Sequence, residues 1–405
     1  MADDFFSSQP PPEEIWERME GYPSWIEVEL DAVGFNLEQI RRRVGGVEVL
    51  PCVKTNAYGH GIVPIVAYLT EHGVERVLVA KLWEAVQLRE AGLACGIVNM
   101  DPLFTDRQHE EVVEMGVTQA VFGRATAERL SRAASRRGRR AGVFIKVDTG
   151  LGRVGVRHEE AADLVEYVSG LPGVRVEGIF STFTEDEAYD QVQLERMLAL
   201  DAELRRRGVD PGTRSMASSN AILHFPEAYL DAVRPGLMLY GVYPEEGDRE
   251  AGLELRQALS FKARLEHVKW IEARDSVTYS RRFVASRRTR VGTVHVGYSD
   301  GYPRGLTNKG RVRVGDEFRP VLGSVSVNHH IVDLTGSDGK VGDVVEIVGR
   351  RGENTVSRLA GLAGIMTYSF VVGLNPLTPR IYFEGGRPVA LSEPKLVEGR
   401  APSPI

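Results

Sequence analysis

Residues 47–61 read VEVLPCVKTNAYGHG. An apolar run ends on Lys54, and a short polar turn rich in glycine follows at once. Runs of the same kind recur along the chain: VERVLVAK (74–81), ACGIVNM (94–100), TQAVFG (118–123), AGVFIKVD (141–148), VRVEGIFS (174–181), RSMASS (214–219) and VRPGLMLYG (233–241). Amphipathic segments lie between them, such as EEAADLVEYVSG at 159–170 and DQVQLERMLALDAELRRRG at 190–208. Near-continuous apolar strands that alternate with helices make a parallel sheet covered on both faces. About eight such units over roughly 200 residues is the repeat number of a closed (β/α)8 barrel. The seventh strand is weak, because SMASS has little strand propensity, and a doubly wound open sheet is the competing architecture.

Beyond residue 255 the pattern shortens. SFKARLEHVKWIEA, SVTYSRRFVA, RTRVGTVHVG, GRVRVGDEFRPVLG, HHIVDLTG and DVVEIVG read as short strands joined by Gly/Asp turns, which predicts a mostly antiparallel β domain. A helix is expected at 354–364 and a last strand at 379–383. The expected organisation is a disordered extension (1–20), a barrel (21–255), a β domain (256–390) and a disordered tail (391–405).

The 405 residues, 42% hydrophobic and 26% charged, suit two globular domains, and a net charge of −6 argues against a broad nucleic-acid-binding surface. The basic stretch 131–140 reads as the exposed face of a helix and its turn. Cys52 and Cys95 lie in apolar runs and read as buried thiols of a cytoplasmic protein. The N-terminal MADDFFSSQPPPEE lacks the apolar core of a signal peptide, and no window is long and apolar enough to span a bilayer.

In a (β/α)8 barrel, chemistry sits where strands end. Lys54 closes the first strand, so its amine is expected at the barrel mouth. Desolvation among apolar strand ends favours a neutral amine, the form that adds to a carbonyl. A structural lysine paired with a carboxylate is the plainer alternative. Lys146 and Asp148 end the fifth strand and Arg153 follows it, the seventh ends in Ser218 and Ser219, and Arg234 and Gly236 lie in the eighth. Serines leading into a glycine turn suit a phosphate, and an arginine in an apolar run needs a buried partner. In the β domain, Tyr279 and Tyr298 stand in polar, glycine-flanked stretches.

Together these motifs resemble the alanine racemase family of pyridoxal-phosphate (PLP) enzymes. VKTNAYGHG is similar to the family's PLP-lysine motif, with Thr55 where Ala is usual. KVDTGLGR, RPGLMLYG, SVTYSRRF and VGYSDGYPR match further motifs in the same order, from about residue 25 to 383. The resemblance implies that Lys54 holds PLP as an imine and acts as one base, while Tyr279, from a second subunit, acts as the other. Tyr58, Ser219 and Tyr368, with the N–H groups of Gly236 and Leu237, would hold the phosphate. Arg153 would approach the phenolic oxygen and the substrate, and Arg234 the pyridine nitrogen. Tyr298, also across the subunit interface, and the backbone of Val327 would bind substrate. A head-to-tail homodimer interconverting L- and D-alanine, or a related small amino acid, is the implied assembly and activity.

Three further stretches depart from the family pattern. Thr182 and Ser215 stand where histidines are usual, and Ser326-Val327-Asn328 replaces a Cys-Met-Asp segment. These changes leave room for altered PLP chemistry (a decarboxylase or lyase) or for a non-catalytic PLP-binding paralogue. The family's lysine matching Lys146 can be carbamylated, so the resemblance admits that modification at Lys146. No metal site is expected: His329 and His330 are adjacent on a strand and so point to opposite faces.

Overall fold

The computed structural model describes residues 5–394; residues 1–4 and 395–405, expected to be disordered, lie outside them. The chain divides into two compact units. Among the described residues, the first comprises 5–7, Ala32–Tyr58 and Ile62–Arg256; the second comprises Ser8–Asp31, Gly59–Gly61 and 257–394.

The first unit is built on eight parallel strands. Around the sheet from Glu48–Val49 they run through Ala232–Val233, Thr213–Ser215, Val174–Phe180, Ala141–Asp148, Thr118–Val121 and Gly96–Asn99 to Arg76–Val79. The ends of this path meet in a parallel bridge between Cys52 and Leu78. There Val53 N–H donates to the Leu78 carbonyl (2.9 Å) and Leu78 N–H to that of Pro51 (2.8 Å). The sheet is therefore a closed barrel with no free edge. Helices such as Ile62–Glu71, Leu82–Glu90, Arg124–Arg136 and Glu187–Arg206 follow the strands. Val77, Val79, Val121, Val143, Ile145 and Ile179 are fully buried, as expected of strands covered on both faces.

The last two barrel strands are shorter than their sequences suggested. Thr213–Ser215 ends before Ser218, and Ala232–Val233 before Pro235, whose missing N–H stops the ladder. Its carbonyl still accepts from Cys52 N–H at 2.8 Å, and 237–240 turns into a 3-10 helix.

The second unit is a mostly antiparallel sheet. Leu259–Ile271 pairs with both Thr289–Val294 and Val344–Val348, so the strands 259–271, 289–294, 330–333, 317–322, 311–314 and 344–348 form a closed ring of six. Ser24–Glu29 continues it beside Leu259–Ile271 and runs parallel to Arg380–Glu384. The strand 24–29 falls within the predicted barrel span 21–255, but it belongs to this sheet: its alternation shows a strand without showing which sheet will claim it. The helix expected near 354–364 is Val356–Ala363.

Two segments expected to be disordered are ordered. Pro12–Met19 is a helix with proline at its start, a position that lacks an intrahelical acceptor for an N–H. Ile15 and Met19, four residues apart, are buried with Trp25 and Ile381. Arg387–Ser392 folds back on Arg380–Glu384 through Gly385 and Gly386, both at positive φ as a two-residue hairpin turn requires. Among the described residues no helix is long and apolar enough to cross a membrane.

Candidate active site

Lys54 leaves the first barrel strand into an unusual turn. Thr55, Asn56, Ala57 and Tyr58 all adopt left-handed backbone conformations, with φ of 55°, 56°, 52° and 51°. Each such residue costs about 1–2 kcal/mol, so the surroundings must impose the turn. Ala57 N–H donates to the Val53 carbonyl (2.8 Å), and Asn56 Oδ1 accepts from Ile62 N–H (2.9 Å). Glu84 is fully buried. Its Oε1 accepts from Asn56 N–H (3.2 Å), and its Oε2 from Ala80 and Lys81 N–H (3.0 and 3.1 Å). Sequence reasoning missed Glu84; its signal was a glutamate in the first turn of the helix Leu82–Glu90. Lys54 itself is half-buried and has neither a carboxylate nor a side-chain hydrogen-bond partner among the described residues. The structural ion pair considered as the alternative is not formed.

Beside it lies a hydroxyl-lined recess. The Tyr58 hydroxyl donates to Cys52 Sγ (3.8 Å), and its ring packs on Tyr240 at 5.5 Å between centroids. A Cβ on Gly236 would fall 2.6 Å from the Tyr58 hydroxyl, so only glycine fits there. Gly236 N–H donates to Ser219 Oγ (3.0 Å). Tyr58, Ser219 and Gly236, with Leu237 next in the chain, are thus brought together from the first, seventh and eighth strand ends. Gly236 N–H, expected to meet an anion directly, is spent on Ser219, whose hydroxyl hydrogen is left to donate onward.

Arg234 is only 8% exposed, and its acceptors are all neutral. Nη1 donates to Ser215 Oγ (2.5 Å), and Nη2 to the carbonyls of Ser181 (2.5 Å) and Met216 (3.2 Å). Ser215 passes its own hydrogen to the Ala232 carbonyl (2.6 Å). Ser215, one of the departures from the family pattern, therefore still supports the arginine. Burial lowers the Arg234 guanidinium to about 10, which leaves it charged at neutral pH.

Lys146 is buried on the fifth strand, donating to Thr182 Oγ1 (2.7 Å) with its Nζ 4.8 Å from the Phe180 ring centroid. Burial, then the charges of Arg234 and Arg153, hold its ammonium well below the ordinary lysine range, against the pull of Asp148. Asp148 Oδ1 accepts from Gly150 and Gly152 N–H (3.0 and 3.1 Å) and so shapes the loop that carries the exposed Arg153. Thr149 and Gln193 were also missed: Gln193 is fully buried and donates to Thr149 Oγ1 (3.0 Å) and the Thr182 carbonyl (3.0 Å).

The remaining predicted residues belong to the second unit. Tyr279 is 74% exposed at the tip of the hairpin formed by Ser276–Val277 and Phe283–Val284. Thr278, Ser280 and Arg281 around it have φ of 63°, 59° and 49°. Ser324 N–H donates to Thr278 Oγ1 (2.7 Å) and Ser324 Oγ to the Tyr279 carbonyl (3.2 Å), so the phenol is held outward on a strained, fastened turn. Tyr298 N–H donates to the Ser326 carbonyl (3.0 Å) and Ser299 N–H to that of Val327 (3.0 Å), which joins the segments of Tyr298 and Val327. Asn328 donates to Ser299 Oγ (3.0 Å). Tyr368 is half-buried on the helix Thr367–Val372.

Residues 28–244 match the family model for the alanine racemase N-terminal domain, and 258–382 that for the C-terminal domain. The chain is 37% identical over 367 residues to the alanine racemase of Desulforamulus reducens, covering 89% of this chain and 99% of that protein. It is likewise 37% identical over 367 residues to that of Symbiobacterium thermophilum, covering 89% and 97%. Among solved structures, alanine racemase of Clostridium difficile superposes with a TM-score of 0.87 at 27% identity, covering 92% of this chain and 98% of that one. That of the D-cycloserine producer Streptomyces lavendulae gives 0.84 at 33% identity, covering 90% and 97%. The barrel with its lysine-bearing first strand, the β domain and these matches over nearly the whole chain have one reading: the chain belongs to the alanine racemase family.

Proposed function

We propose that this protein is a PLP-dependent alanine racemase that interconverts L- and D-alanine by proton transfer at Cα. The observation that carries the reading is Lys54: an amine without a partner among the described residues, on a strained and fastened turn, beside the recess of Tyr58, Ser219 and Gly236. That recess fits a phosphate, since two hydroxyls flank a backbone position from which any Cβ is excluded. The Leu237 N–H would complete the proposed phosphate-binding set. Lys54 would hold PLP covalently through Nζ, Arg153 would face the phenolic oxygen and Arg234 the pyridine nitrogen. PLP, when bound, withdraws electrons from the substrate and acidifies its Cα–H bond.

The remaining work falls to the chain's own groups. Lys54 takes or returns a proton on one face of Cα, and the Tyr279 phenol of a partner subunit serves the other, which inverts the centre. The exposure of Tyr279 on a rigid turn supports a role toward a second copy in a head-to-tail homodimer. Arg234 keeps its charge and would hold it toward the pyridine nitrogen of bound PLP, where it would disfavour protonation and moderate the electron withdrawal. Tyr298 and the Val327 N–H, which meets no acceptor among the described residues, would bind the substrate's carboxylate end, with Arg153. Buried, unpaired Cys52 and Cys95 accord with a reducing, cytoplasmic setting.

The test is to load the purified protein with PLP, supply L-alanine in deuterium oxide, and follow D-alanine formation and deuterium at Cα. Borohydride should fix the cofactor to Lys54. Absence of both D-alanine and borohydride labelling at Lys54 would overturn the proposal. Exchange on another amino acid but not on alanine would move the substrate assignment alone.

A further inference from the structure

Three strands of the second unit bring together two histidines and a glutamate that the racemase chemistry does not use. Leu265 on Leu259–Ile271 faces Val294 on Thr289–Val294, and Val294 faces His330 on His330–Asp333. These three are buried, so the residues beside them, Glu266, His295 and His329, emerge on the outer face of the sheet. Glu266 lies at a register shift between Leu265 and His267, a bulge that re-aims a side chain.

The two imidazoles converge on one carboxylate oxygen. His295 Nδ1 lies 3.1 Å and His329 Nε2 3.0 Å from Glu266 Oε2, and the three atoms lie within 4.8 Å of one another. The rings meet edge to face, 4.7 Å apart, so neither blocks the other's nitrogen. Arginines pair with many carboxylates on this protein, yet Glu266 has no arginine or lysine partner among the described residues. Zinc binds nitrogen and carboxylate oxygen at about 2.0–2.2 Å, and a tetrahedron with such bonds has edges of about 3.4 Å. The two short edges of the Glu266–His295–His329 triangle are within a few tenths of an ångström of that value.

We infer that Glu266, His295 and His329 form a binding site for a divalent transition-metal ion of the zinc class, with water in the remaining position. Two imidazoles and one carboxylate suit zinc or cobalt rather than calcium or magnesium, which take oxygen ligands. In the metal-free protein each imidazole donates its inward N–H to Glu266; on binding, each neutral ring moves that proton to its outward nitrogen and gives the inward lone pair to the ion, so no net proton is released. The ion would pin the bulge of the long strand to the segments at 295 and 329. This inference stands apart from the racemase reading and is read without measuring activity.

Tag-free, PLP-loaded protein is stripped with chelator and titrated with Co2+, followed by visible absorption and then displacement with Zn2+. One tightly held cobalt ion per chain with an intense tetrahedral spectrum is expected. Changes outside the ligand shell already weaken metal binding about 10- to 100-fold, so Glu266→Gln, His295→Gln and His329→Gln should each weaken it by about 100-fold or more. Circular dichroism checks that each variant is folded. Anomalous scattering at the zinc edge from wild-type crystals gives an answer that needs no variant. Absence of a stoichiometric cobalt spectrum, its persistence in folded His295→Gln/His329→Gln protein, or a zinc peak at other residues would each overturn the assignment.

Discussion

Lys54, the proposed catalytic amine, needs more than a barrel mouth. Four successive left-handed residues follow it, and the buried carboxylate of Glu84 helps fasten them. Gly61, at φ +97°, lies so close to the Tyr382 hydroxyl that a Cβ would overlap it, and a Cβ on Gly59 would strike the Val371 carbonyl. Gly61→Ala should therefore destabilise the protein by about 2 kcal/mol or more, read from denaturant midpoints. Gly236→Ala drives a methyl against the Tyr58 hydroxyl. Overpacking costs about 1–3 kcal/mol, so PLP retention, followed by absorbance, should weaken about tenfold or more while the fold persists. Tyr279→Phe removes the proposed proton carrier but keeps the ring; racemisation should fall about 10²- to 10⁴-fold with PLP binding unchanged.

At the level of single elements, the strand His330–Asp333 and the helix Pro12–Met19 each carry a stability test. His330 is fully buried, donates from Nδ1 to the Val296 carbonyl (2.7 Å), and stacks on Tyr302 at 4.8 Å. Burial lowers its imidazole from 6.5 to about 4. Between those values the unfolded chain binds a proton that the folded chain refuses. Stability is thus intact above pH 6.5 and lost as pH falls toward 4, by up to about 3 kcal/mol. In His330→Gln, whose amide can still donate to Val296, the difference between unfolding free energies at pH 7 and pH 4.5 should shrink accordingly. Ile15→Ala should cost about 2–5 kcal/mol, because its side chain is fully buried. A disordered leader would show no change in the same urea titration.

For the assembled molecule, the proposed shared site predicts complementation. Lys54→Ala and Tyr279→Phe chains should each be nearly inactive alone. Mixed under conditions that exchange subunits, about half the dimers are hybrids, and each hybrid holds one complete site out of two. Activity should recover to about a quarter of the wild-type value. No recovery despite demonstrated exchange would place both bases in one chain.

The eight-unit barrel, the short-stranded β domain and the lysine-bearing turn were all legible in the linear chain. Each is written in neighbouring residues: apolar runs, helical periods and glycines at fixed spacing. Local patterning also misled where it was weak, since PPP and a polar composition hid the buried pair Ile15 and Met19. What the line of residues could not disclose is which distant polar groups meet. Closure of the barrel brings Ser215 to Arg234 and Thr182 to Lys146, and the ring of six strands brings Glu266 to His295 and His329. Hydrophobic periodicity reflects burial, which each residue meets through its own neighbours. A hydrogen bond or a shifted proton affinity depends on a partner dozens of residues away and on how much water remains between them, and folding alone sets both.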